Sequence, residues 1–192
     1  MRERILSRIR RALEHRPRVA LPEPLELPTL SPEEALALFA ERLIGNGGEV
    51  VRLENLEAAQ DWLSHFAQTF AGVAVSRTVP SNLHPKQPTL PPEQAPLGIS
   101  WALGAVAETG TVLLSSQEGR RVQLLPPAHL VFVLQEKIYP TLYEALTAMK
   151  PDLPSAIGLH SGPSKSADIG QIMVKGVHGP GRLVVAVVQN PA

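Results

Sequence analysis

The sequence predicts an α/β domain with a largely parallel sheet, helices on both faces and a small antiparallel patch. Three observations predict it. Segments of helical period alternate with short β-branched runs between residues 31 and 75. The last run, Leu183 to Val188, is apolar without alternation, as in a strand covered on both faces. Strand-like runs then crowd between residues 99 and 134, with Gln117-Glu118-Gly119 offering a hairpin turn. At 192 residues a single core is the default.

Residues 1–16 carry Ile5, Ile9 and Leu13 on one stripe among arginines, with Leu6 beside them, which predicts an amphipathic helix. It suits a surface helix docked on the body, and also a membrane-surface or partner-binding helix. Residues 17–30 hold four prolines and no period, an extended tether. Residues 31–192 then form one α/β domain. Ser31-Pro32-Glu33-Glu34 starts a helix with a capping box, and Gly45-Asn46-Gly47-Gly48 ends it. A strand from Glu49 to Leu53, a helix capped by Asn55 and bearing Leu56, Ala59, Leu63, Phe66 and Phe70, and a strand at Val73 to Val75 make a β-α-β unit.

Residues 77–97 contain six prolines and read as an irregular excursion, a lid or an edge cover. Strands follow at Ile99 to Leu103, Thr111 to Ser115, Val122 to Leu125 and Leu130 to Leu134. A helix over 138–149, a short strand near 156–158, a helix from about Lys165 to Met173 and the final strand complete the chain.

Composition limits the chemistry. Hydrophobic residues make up 44% and charged residues 19%, an ordinary globular balance. Eighteen bases against eighteen acids leave no field to attract a polyanion, and with aromatics at 4% few rings remain for stacking on bases, so nucleic acid is not expected as a partner. With no cysteine the chain supplies no thiolate to a cluster, a zinc site or a nucleophilic step. The basic start lacks the continuous apolar stretch of a signal peptide and no run reaches membrane-spanning length, so a cytoplasmic protein without a transmembrane segment is expected.

Ligands of open α/β sheets sit beyond the carboxyl ends of the strands, where helix N-termini offer unpaired N–H groups. Two turns fit that setting. Ala107-Glu108-Thr109-Gly110-Thr111 combines a carboxylate, two hydroxyls and a glycine that admits a ligand to the backbone. Glu108 suits a general base, a nucleophile or an acceptor, or simply a solvated turn. Gly162-Pro163-Ser164-Lys165-Ser166-Ala167-Asp168 offers hydroxyls and a cation for an anion, but it does not match the P-loop pattern and is equally a capped helix start. A third element, Gly176-Val177-His178-Gly179-Pro180-Gly181, frees His178 to act as acid, base or ligand, or to bond a nearby carbonyl. His129, His160 and His178 lie far apart in the sequence without metal-binding spacing, so no metal is expected. Arg121, beside Arg120, suits a carboxylate or phosphate.

Taken in order, AETGTVLLSS, GRRVQLLPPAHLVFV, SGPSKSADI and KGVHGP resemble the LutC/YkgG family of lactate-utilisation proteins over roughly residues 98–190; Gly170 departs from the acidic residue common after ADI. The resemblance implies a NagB/RpiA/CoA-transferase-like fold. It also implies a part in oxidising L-lactate to pyruvate alongside iron–sulfur partner proteins, the clusters sitting on the partners and no cofactor on this chain. Glu108 and His178 are then the candidate catalytic residues. Thr109, Gly110, Thr111, Arg121, Gly162, Ser164, Lys165, Ser166, Asp168 and Gly179 are the candidate binding residues for a small carboxylate or phosphate. Two other readings stay open: a stand-alone acyl or CoA transferase, or a ligase, working through Glu108, and a non-catalytic scaffold subunit.

Overall fold

A computed structural model describes residues 2–14, 29–167 and 173–190. The elements in chain order are α1 (Arg2–Glu14), α2 (Pro32–Gly45), β1 (Glu49–Asn55), α3 (Leu56–Phe66), β2 (Val73–Val75) and β3 (Leu97–Trp101). There follow β4 (Gly104–Val106), β5 (Thr111–Ser115), α4 (Arg120–Leu124), β6 (Ala128–Leu134), β7 (Ile138–Tyr139) and α5 (Leu142–Met149). The chain closes with β8 (Ile157–His160), β9 (Lys165–Ala167), β10 (Met173–Lys175) and β11 (Arg182–Asn190). The tether expected at 17–30 falls almost wholly on residues outside the described ones.

The five-stranded sheet, in the order β1-β11-β6-β3-β2, is parallel throughout. Its two strongest signals in sequence, the apolar runs of β6 and β11, lie at its centre, with Leu183 opposite His129 and Val188 opposite Leu134. One face packs on Ala59 and Leu63 of α3. The other packs on Leu36, Phe39 and Leu43 of α2 together with Ala105, Val112 and Leu114 of a second sheet. That sheet, β7-β4-β5-β8, is larger than a patch, and Ala145 of α5 covers its outer side against Val106 and Leu113. Burying one side of each helix this way removes about 1.5–3 kcal/mol worth of apolar exposure per large side chain.

The helix starts are local and legible. Ser31 and Glu34 make the expected reciprocal cap of α2, and Asn55 accepts from Ala58 N–H at 2.8 Å to start α3. The β-α-β unit is present as a wide crossover, with β1 and β2 parallel in one sheet but at its opposite edges. Four other expectations are corrected. Val122 lies in α4, not a strand, and residues 116–118 are a 3-10 turn, not a hairpin; the turn closes because Ser115 Oγ accepts from Gln117 N–H and because Glu118 is drawn inside. Helix α5 starts only at Leu142, capped by Thr141, because Ile138 and Tyr139 pair with β4. Of the helix expected over 165–173, the described residues are strand instead, Lys165 to Ala167 pairing antiparallel with Met173 to Lys175, and residues 168–172 lie outside the described ones.

Proline-rich residues 77–97 cover an edge. Leu90 N–H donates to Val73 O at 2.8 Å and Val73 N–H to Pro88 O at 2.9 Å, which pairs the outer edge of β2 at Val73, while Val79 and Leu83 enter the core over α3. Helix α1 buries none of its side chains, and Ile5, Ile9 and Leu13 are each about half exposed.

Glu118 holds this side of the fold. It is buried and accepts from Ser76 Oγ at 2.7 Å and from Trp101 N–H at 3.2 Å, tying the ends of β2 and β3 to the turn after β5. Burial pushes its carboxyl above the ordinary value, with the hydrogen bonds pulling the other way. A raised folded-state value means that this carboxyl's contribution is fully present below its unfolded value and is lost as pH rises through the folded one. As pH rises above the ordinary glutamate value the wild type should therefore lose urea stability relative to Glu118→Gln; a difference that does not change with pH would contradict the assignment. Gly110 supplies a second test. It sits at φ +61°, and an added Cβ would lie 2.3 Å from the backbone nitrogen of Leu43. Gly110→Ala should cost about 1–3 kcal/mol of unfolding free energy by urea titration.

A candidate ligand cavity at the amino end of the parallel sheet

The C-terminal end of α2 organises the surroundings of the site. Asn46 N–H bonds to Arg42 O at 3.0 Å and Gly47 turns the chain at φ +86°. Asn46 Nδ2 donates to Thr109 O at 3.2 Å, and Gly110 packs directly on the backbone of Arg42 and Leu43. Gly162, at φ +121°, lies so close that a Cβ there would be 2.8 Å from Asn46 O. Lys165 Nζ donates to that same carbonyl, a cation at the negative end of a helix. Both candidate turns thus dock on one helix end.

From the first turn a line of hydroxyls runs inward. Thr109 Oγ1 and Thr111 Oγ1 are 2.7 Å apart, and Thr111, which is buried, also bonds the hydroxyl of Ser161. Ser161 lines a cavity of about 260 Å³. Its walls are Leu159 to Gly162 with Ser164 on one side and His178 to Pro180 on the other, closed by Leu124 of α4 and Leu183 of β11. Backbone bonds hold the walls together: Ser164 N–H to Pro180 O at 2.8 Å and Gly176 N–H to Ser164 O at 2.9 Å. Leu183, which lines the cavity, and His129 opposite it are the second residues of β11 and β6, so the cavity opens at the amino end of the parallel sheet. The sequence-based expectation of the carboxyl end is corrected here, because the second sheet brings β8 across that edge.

The candidate residues divide by position. Gly162, Ser164, His178 and Gly179 line the cavity, and Thr109 and Thr111 reach it through Ser161. Glu108 is exposed, and its Oε1 accepts from Leu142 N–H at 2.8 Å, so its carboxylate sits at the start of α5. Arg121 pairs with Glu93 at 2.9 Å on the surface. Lys165 is bonded to α2, and Ser166 stands opposite Val174 in the β9–β10 ribbon. Asp168 lies outside the described residues.

Three groups were not singled out from sequence. His160 lines the cavity, partly buried, and burial lowers the pKa of its imidazole. Behind it lies His129, fully buried, with ring centroids 5.9 Å apart in an edge-on arrangement. Burial first, and then His160, hold His129 down to about 3, so it stays neutral. Its Nε2 meets Ser100 Oγ at 2.9 Å, while its Nδ1 is the one buried side-chain polar atom without a partner among the described residues. Such an atom costs about 1–3 kcal/mol. Ser161 is the third. Alternation in β8 places Gly158 and His160 on one face, but only remote β6 and α4 make that face an interior. Among the described residues no group of three or more histidines and acids is placed to hold a metal ion, and no helix is long and apolar enough to cross a membrane.

Comparison with known proteins places this geometry. The chain is 38% identical over 106 residues to "Lactate utilization protein C" of Bacillus licheniformis, covering 51% of this chain and 44% of that protein. It is 40% identical over 96 residues to the protein of the same name from Bacillus subtilis, covering 46% of this chain and 40% of that one. The match thus spans less than half the length of these curated relatives. A crystal structure of a DUF162 family protein from Deinococcus radiodurans superposes with a TM-score of 0.65 at 23% identity, covering 83% of this chain and 99% of that one, which supports the mixed α/β fold. The model of the LUD domain matches residues 92–188, a stretch that contains every residue lining the cavity. On that match, the chain belongs to the LUD domain family.

Proposed function

We propose that this chain serves lactate utilisation by binding a small carboxylate, L-lactate or its oxidation product, in the cavity between Ser161 and His178. The observation that carries the reading is a small cavity of mixed apolar and polar lining, built wholly from the family-matched half of the chain, in a chain similar to relatives named lactate utilization protein C. Hydroxyls of Ser161 and Ser164 can donate to a carboxylate, and exposed His178 can add a ring N–H. His160, kept neutral by its surroundings, is suited to accept a hydrogen bond from the ligand hydroxyl. Oxidation of lactate also removes electrons. A chain without cysteine offers no thiolate for a cluster, so the proposal assigns electron transfer to iron–sulfur partner proteins. Glu108 keeps a positioning part in this reading, since it joins the cavity-side turn to α5.

A scaffold role has one observation in its favour, the uncovered apolar stripe of α1. Removal of residues 1–16 should then abolish copurification of iron-containing partners and leave lactate binding intact; unchanged copurification removes this role.

The main reading is tested by complementation. In a host lacking its own copy, His178→Ala should cut growth on L-lactate several-fold while growth on glucose is unchanged. Its exposed side chain should leave urea stability within about 0.5 kcal/mol of wild type. Normal growth on lactate would count against the cavity.

A further inference from the structure

A second cavity of about 240 Å³ adjoins the first, and Leu124 and His160 line both. Its other walls include Ser116, Arg120, Gln123 and Gly158. The strand is bare where the two meet, since a Cβ at Gly158 would lie 3.0 Å from His160 Nε2 and 3.6 Å from Gln123 Oε1. Glycine there leaves the imidazole room to stand between the chambers. Neither ring nitrogen of His160 has a hydrogen-bond partner among the described residues, and the orphan Nδ1 of His129 lies in the ring packed behind it. Arg120 also makes no ion pair among the described residues, whereas its neighbour Arg121 is taken by Glu93. The titratable groups that face His160 are therefore His129 from β6, Arg120 from α4 and His178 from the loop before β11.

We infer that the two cavities form one bent cleft around His160, and that it accepts a hydroxy acid carrying a second anionic arm, whose far end is bound by Arg120. This rests on the small-carboxylate reading above and extends it to the substrate class. The first chamber offers hydroxyls and imidazoles, suited to a carboxylate and its neighbouring hydroxyl. The second offers a guanidinium, the group that pairs best with a further carboxylate or a phosphate. A ligand of lactate's size fits within the first chamber and leaves Arg120 unused.

The test follows histidine ring resonances of the full chain by NMR during titration with L-lactate and, separately, with L-malate, a hydroxy acid with a second carboxylate. The His160 and His178 rings should shift with both acids. Malate should bind about tenfold more tightly, the worth of one hydrogen bond between charged groups. Arg120→Gln should erase that advantage without changing lactate affinity, and thermal melting verifies that this surface variant folds. Gly158→Ala, which crowds the imidazole, should weaken both acids. Equal binding of the two acids by the wild type, or a malate advantage that survives in Arg120→Gln, overturns the two-chamber inference and leaves the small-acid reading standing. Absence of any shift at His160 and His178 with either acid overturns both.

Discussion

The structure around the cavity depends on the carbonyl end of one helix. Helix α2 finishes beside the first residue of β1, and its last turn presents oxygens that need partners. Lys165 supplies a cation to one, and Asn46 reaches across to the backbone of Thr109. Gly110 and Gly162 let two separate loops lie against that turn at distances no side chain would permit. Without this junction the AETGT turn and the segment after β8 would have no common support. The hydroxyl line from Thr109 through Thr111 to Ser161 would then have no fixed direction.

Docking both loops there decides on which end of the sheet the cavity opens. In a simple doubly wound sheet, helices return the chain so that carboxyl-end loops surround the ligand. Here a second sheet packs on one face, and its edge strand β8 runs past the starts of β6 and β11. The loop before β11 is pinned to the loop before β6, with Gly181 N–H donating to Pro127 O at 2.9 Å, and this fixes the wall that carries His178. At the opposite end, buried Glu118 joins the ends of β2 and β3, so the polar groups there serve structure.

Much of this was legible in the residues. Capping signals at Ser31 and Asn55 act within one turn, and the apolar runs of β6 and β11 report burial on both faces, so those elements could be read directly. Val122 to Leu125 could not, because a short apolar run suits either a strand or a helix and only the burial of Glu118 decides. The segment after Ser164 looked like a helix start because its partner strand begins only at Met173, and pairing with it leaves no local trace. The same limit applies to the site. Gly162, Ser164, His178 and Gly179 were marked by composition. The aim of Glu108 depended on where α5 begins, and the importance of His160 on His129 and Leu124, which fold against it from elsewhere in the chain.

The central claim is that the ligand sits at the amino end of the parallel sheet, between Ser161 and His178. A crystal structure of the full chain with L-lactate tests it most directly. Electron density for the acid in contact with the Ser161 hydroxyl and the His178 ring is the predicted result; density at the carboxyl end of the five-stranded sheet, or against Glu108 with the cavity empty, would contradict it.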